Sequence, residues 1–255
     1  MSTVSLSGRR VIVTGGASGM GEALVRAFPG LGADVVSIDL SAEAGARIAQ
    51  QAGAVGFIAA DVADEASIQS AIDSAVSQLG GLDVLIHAAG VATGGAADAT
   101  SLALWERVMA VNATGTFLVN HAAFPHLKAS GGAILNFASA AGIRGHPAKA
   151  AYAAAKGAVV AWTRTIAAEW GRYGISANII APAIWTPMYD KTRADMTAAE
   201  LADHDAGKAR TIPLGGRLGD VERDFTPVMA FLSSTGARFV NGQVIPIDGG
   251  MLMVR

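Results

Sequence analysis

Short apolar runs alternate with helical spacings along most of the chain. Arg10 to Thr14 reads as a strand ending in glycines, and Gly21 to Gly30 as a helix. Asp34 to Asp39 is a second strand, Ala42 to Gln51 a second helix and Ala54 to Ala60 a third strand. The spacing of Ile68, Ile72, Val76 and Leu79 predicts a helix over Ala63 to Leu79, followed by a fourth strand from Asp83 to His87. Leu102 to Lys128 is helical with a break near Asn112, and Ala133 to Ala138 is a strand. Ala150 to Arg172 is a long helix, and Ile175 to Ile180 and Gln243 to Ile247 are the sixth and seventh strands. Continuous apolar strands between helices predict a parallel sheet covered on both faces. The expected architecture is α/β: one doubly wound domain over 1–255, with seven parallel strands. The irregular stretch is Pro182 to Gly219, read as a mobile substrate loop at about 183–218. Within it, Thr197-Ala198-Ala199-Glu200 is a capping-box pattern that can start a small helix.

Composition narrows the function. The 255 residues include no cysteine, which excludes disulfides, a thiolate nucleophile and a cysteine-based zinc site. A net charge of −2 with 16% charged residues offers no basic stripe for nucleic acid. His121 and His126 are poorly spaced to share a metal, so no metal site is expected. Met1 to Arg10 has no apolar core of a signal peptide, and no run of about 18 apolar residues predicts a membrane span. The expectation is a cytoplasmic protein with a small-molecule substrate.

Thr14-Gly15-Gly16-Ala17-Ser18-Gly19-Met20-Gly21 lies between the first strand and the first helix. Glycines there permit a tight turn, and the helix start offers free N–H groups to a pyrophosphate. This is the position of the phosphate turn in a Rossmann sheet, with Gly15, Ser18, Gly19 and Met20 as cofactor contacts. Asp39 ends the second strand, about 20 residues on, where a carboxylate accepts hydrogen bonds from ribose hydroxyls and repels a 2′-phosphate. Neither Leu40 nor Ser18 is basic, so NAD is expected rather than NADP. Asp61 and Val62 are candidates for the adenine, Asp61 being equally placed to cap the next helix.

Tyr152 and Lys156 stand four apart on one helix and share a face. A cationic Lys156 should ease ionisation of the Tyr152 phenol, suiting it to acid/base work. Ser139, past the fifth strand, can hydrogen-bond a substrate oxygen. Asn112 can hold a water that relays protons to Lys156. Tyr-x-x-x-Lys, the serine, the asparagine and the glycine turn, in this order and spacing from Arg9 to Gly250, resemble the motif set of the short-chain dehydrogenase/reductases. The resemblance implies an NAD-dependent interconversion of a secondary alcohol and a ketone. By it, Asn112, Ser139, Tyr152 and Lys156 form a catalytic tetrad, and Lys156 and Tyr152 also touch the cofactor. Ala89, Gly90, Pro182, Ile184 and Thr186 join the cofactor contacts, Thr186 at the carboxamide. His146 and the Trp185, Met188, Tyr189 cluster are candidate substrate contacts, Arg193, Lys191 and Asp195 plain solvated charges. An uncharged cyclic, aromatic or steroid-like substrate is expected. The helices Ala113 to Lys128 and Ala150 to Trp170 would pair across a two-fold axis in a homotetramer.

Three departures from the family pattern stand out. The family's Asn-Asn-Ala-Gly is His87-Ala88-Ala89-Gly90, its Pro-Gly after strand six is Pro182-Ala183, and Pro227 falls inside the apolar spacing Val221 to Leu232. A regular helix around Pro227 would cost about 3 kcal/mol. Two other readings remain: an NADPH-linked 3-oxoacyl-carrier-protein reductase, which Asp39 disfavours, and a non-catalytic dinucleotide sensor or scaffold, which would have no use for Tyr152.

Overall fold

A computed structural model describes residues 4–253, apart from the side chains of Met188 and Thr192. In chain order the elements begin β1 (Arg10–Thr14), α1 (Gly19–Ala27), β2 (Asp34–Asp39), α2 (Ala42–Ala52), β3 (Gly56–Ala59), α3 (Glu65–Leu79) and β4 (Val84–His87). They continue with α4 (Leu102–Met109), α5 (Gly115–Lys128), β5 (Gly132–Phe137), α6 (Ala140–Arg144), α7 (Ala150–Trp170) and β6 (Ile175–Pro182). The chain closes with α8 (Pro187–Ala194), α9 (Ala198–Thr211), α10 (Thr226–Ser233) and β7 (Val244–Ile247).

The seven strands form one sheet in the order β3-β2-β1-β4-β5-β6-β7, every neighbouring pair parallel. Side chains alternate across each strand, so both faces need cover. Ile12, Ile38, Leu85 and Ile134 pack with α3, α5 and α7 residues such as Ile72, Val119 and Ile166. Val11, Val13, Val35 and Ile86 pack on the other face with Leu24 of α1, Ile48 of α2 and Met229 of α10. The strand order reverses between β1 and β4, which opens a crevice at their carboxyl ends.

Three local features give the expected elements their detail. The break at Asn112 is a π turn, Ala110–Thr114, with helical backbone on both sides. The stretch read as irregular holds two helices, α8 and α9, and Thr197 and Glu200 make the reciprocal capping box at the start of α9. The segment around Pro227 is not one regular helix. A second π turn, Val221–Phe225, precedes α10 and puts Pro227 in its first turn, where a missing N–H is tolerated. The expected penalty therefore does not arise.

Candidate active site

The glycine turn is shaped by its own backbone. Gly15 has φ +75°, and a Cβ there would lie 2.6 Å from the Ala89 nitrogen. A Cβ at Gly21 would lie 2.1 Å from the Gly15 carbonyl oxygen, so the start of α1 crosses the turn at a distance open only to glycine. Ser18, the residue that caps α1, has extended backbone and no side-chain bond into the helix, which leaves its first-turn N–H groups open to an anion. Asp39 reaches back to this turn. Its carboxylate accepts from the Ala17 N–H at 3.0 Å and from the Ser41 N–H at 2.9 Å, while Leu40 beside it is exposed. Asp61 accepts from the Ala63 N–H at 2.9 Å, and the cap of α3 is Asp64 rather than Asp61. Val62 is buried against Gly115 at the start of α5.

The acid/base candidates converge at the carboxyl end of β4 and β5. Ser139 caps α6, its Oγ accepting from the Ala141 N–H at 3.2 Å, and it also hydrogen-bonds the Tyr152 hydroxyl. Lys156 is buried, its Nζ donating to the Phe137 carbonyl at 2.7 Å and lying 5.8 Å from the Tyr152 ring centre. A Cβ on Gly90 would meet Asn112 Oδ1 at 2.7 Å and Lys156 Nζ at 3.4 Å, so that glycine is the seam between the two. Asn112 is fully buried in the π turn. Its Nδ2 donates to the carbonyls of Val91 and Val108, and its Oδ1 accepts from the Val91 N–H. The two bonds to Val91 brace the loop after β4, and one lone pair on Oδ1 is left beside Lys156.

Burial sets the titration of this cluster. It lowers Lys156 to about 8, because a desolvated ammonium is disfavoured. It raises the Tyr152 phenol above its ordinary value, and the Ser139 hydrogen bond offsets only part of that rise. Desolvation thus outweighs at Tyr152 the easing of ionisation expected from Lys156.

After β6, Ile184 bridges to Gly219, and the Trp185 N–H donates to the Gly219 carbonyl at 2.8 Å. Thr186 caps α8 without a side-chain bond into it. Trp185 stands edge-on to Tyr189 at 4.9 Å, and its indole N–H donates to Asp190 at 2.7 Å. The Tyr189 hydroxyl meets His204 Nε2 of α9 at 2.6 Å. Arg193 is not a plain solvated charge. Its guanidinium lies 4.9 Å from the Trp185 ring and grips Asp205 of α9 through two nitrogens. Met188 lies outside the described side chains. His146 is exposed, its Nδ1 2.7 Å from the Pro147 carbonyl oxygen. Sequence reasoning missed the clasp beside it, where the Lys149 ammonium donates to the Ala92 carbonyl at 2.7 Å. It also missed Ala148, whose φ of +57° is unusual for a residue with a Cβ.

A glycine turn at the switch point of a doubly wound sheet, with serine, tyrosine and lysine gathered at its carboxyl edge, defines a dinucleotide-dependent oxidoreductase. A family model described as enoyl-(acyl carrier protein) reductase matches residues 15–252. The chain is 40% identical over 237 residues to a Xanthobacter autotrophicus protein named inactive 2-(S)-hydroxypropyl-CoM dehydrogenase 2, covering 92% of this chain and 100% of that one. It is 38% identical over 251 residues to the D-threitol dehydrogenase of Mycolicibacterium smegmatis, covering 96% and 93%. The crystal structure of levodione reductase superposes with a TM-score of 0.87 at 32% identity, over 96% of this chain and 97% of that one. The chain belongs to the short-chain dehydrogenase/reductase family. That membership makes it an oxidoreductase of alcohols and their carbonyl counterparts, working with a nicotinamide dinucleotide.

Proposed function

We propose that this chain interconverts a secondary alcohol and a ketone with NAD, and that Tyr152 carries the proton. What supports the reading above all is that Asn112 and Lys156 meet at Gly90 while Tyr152 stands beside Lys156 and hydrogen-bonds Ser139. The residues fit the dinucleotide: Gly15 and Gly21 let the turn close where a Cβ would strike backbone, the first turn of α1 is open to a pyrophosphate, and Asp39 faces where a ribose would lie. Bound there, the dinucleotide supplies a hydride acceptor or donor and, when oxidised, a positive charge. Ser139 Oγ positions the substrate oxygen. The Tyr152 hydroxyl takes the alcohol proton in oxidation and returns it in reduction. Lys156 Nζ holds a positive charge beside the phenol up to about pH 8. Thr186, with Ile184 and Pro182, holds the carboxamide end, and Gly19, Met20, Asp61, Val62 and Ala89 line the rest of the cofactor's path.

The substrate in this reading is an uncharged cyclic, aromatic or steroid-like alcohol, covered by Trp185 and Tyr189 of a lid spanning 183–218. The other two readings carry less weight. Asp39 faces a 2′-phosphate unfavourably, which counts against a carrier-protein reductase using NADPH. A non-catalytic role, suggested by one relative's name, would leave Tyr152 and Lys156 without work. Phe117 is partly exposed and packs on Trp162 and His121, which supports α5 and α7 as the paired faces of a homotetramer in the cytoplasm. No helix among the described residues is long and apolar enough to cross a membrane. The deciding experiment is a screen of secondary alcohols with NAD. Turnover of none of them, by protein that binds NAD, overturns the enzymatic reading.

A further inference from the structure

His87 ends β4, in register with Thr14 of β1 on one side and Asn136 of β5 on the other, and is 1% exposed. Its Nδ1 lies 2.7 Å from Thr14 Oγ1. The same oxygen accepts from the Ala89 N–H at 3.5 Å. The Thr14 hydroxyl can therefore hydrogen-bond both Ala89 and His87, while His87 Nε2 has no hydrogen-bond partner in the structure. The chain keeps an imidazole here although one of its nitrogens is left unsatisfied, which a sheet-filling role alone would not require.

The Thr14 contact lies at a joint between two turns. Thr14 directly precedes Gly15, whose Cα is so close to Ala89 that a Cβ would lie 2.6 Å from the Ala89 nitrogen. One residue beyond Ala89, Gly90 packs against Asn112 Oδ1 and Lys156 Nζ. A shift of the first turn relative to the second would therefore move the cofactor cradle relative to the acid/base cluster.

We propose that His87 is a positioning residue: through Thr14 Oγ1 it fixes the spacing between the glycine turn after β1 and the Ala89–Gly90 turn after β4, and so holds the dinucleotide in register with Lys156 and Tyr152. This rests on the reaction proposed above, but its first consequence is for dinucleotide binding. His87→Leu fills similar space without a polar atom, His87→Asn restores a group able to accept from Thr14, and Thr14→Val removes the hydroxyl. The NAD dissociation constant, the KM for NAD, kcat and Tm are measured for each, and for His87→Leu with Thr14→Val. His87→Leu should weaken NAD binding and raise its KM by about tenfold, what losing one buried hydrogen bond is worth, with a smaller fall in kcat. His87→Asn should return both within about threefold, and the double variant should bind no worse than the weaker single one, because one contact is lost in all. A His87→Leu protein with lowered Tm but wild-type NAD affinity and KM has lost only stability, and that overturns the proposal. If His87→Leu does not fold, wild-type NAD affinity in Thr14→Val overturns it equally. Wild-type protein that binds NAD but turns over no alcohol removes the proposed reaction, while the dissociation constants still decide the role of His87.

Discussion

Lys156 Nζ donates to the Phe137 carbonyl oxygen at 2.7 Å and stands 5.8 Å from the centre of the Tyr152 ring. The bond anchors a long, flexible side chain to the end of β5, where Ser139 follows two residues later. Lys156 and Ser139 are thus referred to one strand end, to which α7 also brings Tyr152. The same burial that fixes Lys156 raises the Tyr152 phenol. In the proposed reading, the positive charge of an oxidised dinucleotide would offset that rise.

Removing the phenol oxygen tests this arrangement directly. Tyr152→Phe should lower turnover by about 10²–10⁴-fold, the usual contribution of a general acid or base. NAD affinity should stay within a few-fold, since the ring remains. Steady-state kinetics and a binding titration check both, and a variant that keeps more than about a tenth of the rate excludes Tyr152 as the proton carrier.

The clasp between α8 and α9 predicts a different pattern. Arg193 joins Trp185 to Asp205, and Tyr189 reaches His204, so the two helices should move as one cover. Trp185→Ala and Asp205→Ala should both raise the KM for the alcohol by about three- to tenfold and leave NAD affinity unchanged, since contacts on the substrate side add to binding rather than to chemistry. The exposed Arg193–Asp205 pair should contribute little to Tm. Unchanged kinetics in Trp185→Ala on every accepted alcohol would return the cluster to ordinary packing.

His87 also gives a prediction for stability against pH. Burial and the nearby Lys156 charge lower its imidazole to about 3, against an ordinary value of 6.5. Between those values the unfolded chain binds a proton that the folded chain refuses, so this residue's contribution to stability is lost as pH falls through that window. Across 1.5 pH units below 6.5 the loss is at most about 2 kcal/mol. Urea unfolding at pH 7 and pH 5 should show wild type losing more stability than His87→Asn, which has nothing to titrate there. Equal losses in the two proteins would mean that His87 is hydrated enough to accept its proton.

Much of this was readable because it is local. Most strands are short runs rich in branched apolar residues, and the glycine turn, the Tyr152–Lys156 spacing and the Thr197–Glu200 box are patterns within a few residues of chain. What was not readable depends on distant partners. Asn112 is held in its π turn by Val91, 21 residues away, and Arg193 acquires its role from Asp205 in a helix that the sequence only hinted at. The rise at Tyr152 reflects how deeply α7 packs, which spacing alone does not encode. Ala148 carries no sign of its left-handed backbone, because glycine or asparagine would be the residue that announces it.

In the proposed reading the cofactor preference turns on Asp39. The carboxylate uses one oxygen on the Ala17 N–H and the other on the Ser41 N–H, so it braces the glycine turn besides the ribose contact proposed for it. A carboxylate has about four lone-pair sites, which leaves room for ribose hydroxyls on the same oxygens. A 2′-phosphate would meet it instead at about 4 Å, costing on the order of 4 kcal/mol per unit charge pair at an effective dielectric of 20 before screening. Wild-type protein should therefore prefer NAD by at least about a hundredfold in kcat/KM, equivalent to roughly 2.7 kcal/mol. Asp39→Ala removes the repulsion and the brace together. It should weaken NAD strongly and gain little for NADP, because the turn that holds the pyrophosphate loosens for both. Asp39→Asn keeps one acceptor for the turn and should damage NAD binding less. Adding Leu40→Arg to Asp39→Asn, with a guanidinium free to grip the phosphate through two nitrogens, should reverse the preference where Asp39→Ala alone does not. Steady-state kinetics with both dinucleotides on the four proteins decide the matter. Equal use of NAD and NADP by the wild type would mean that Asp39 serves only the turn, and the preference for NAD would then have no physical basis in this chain.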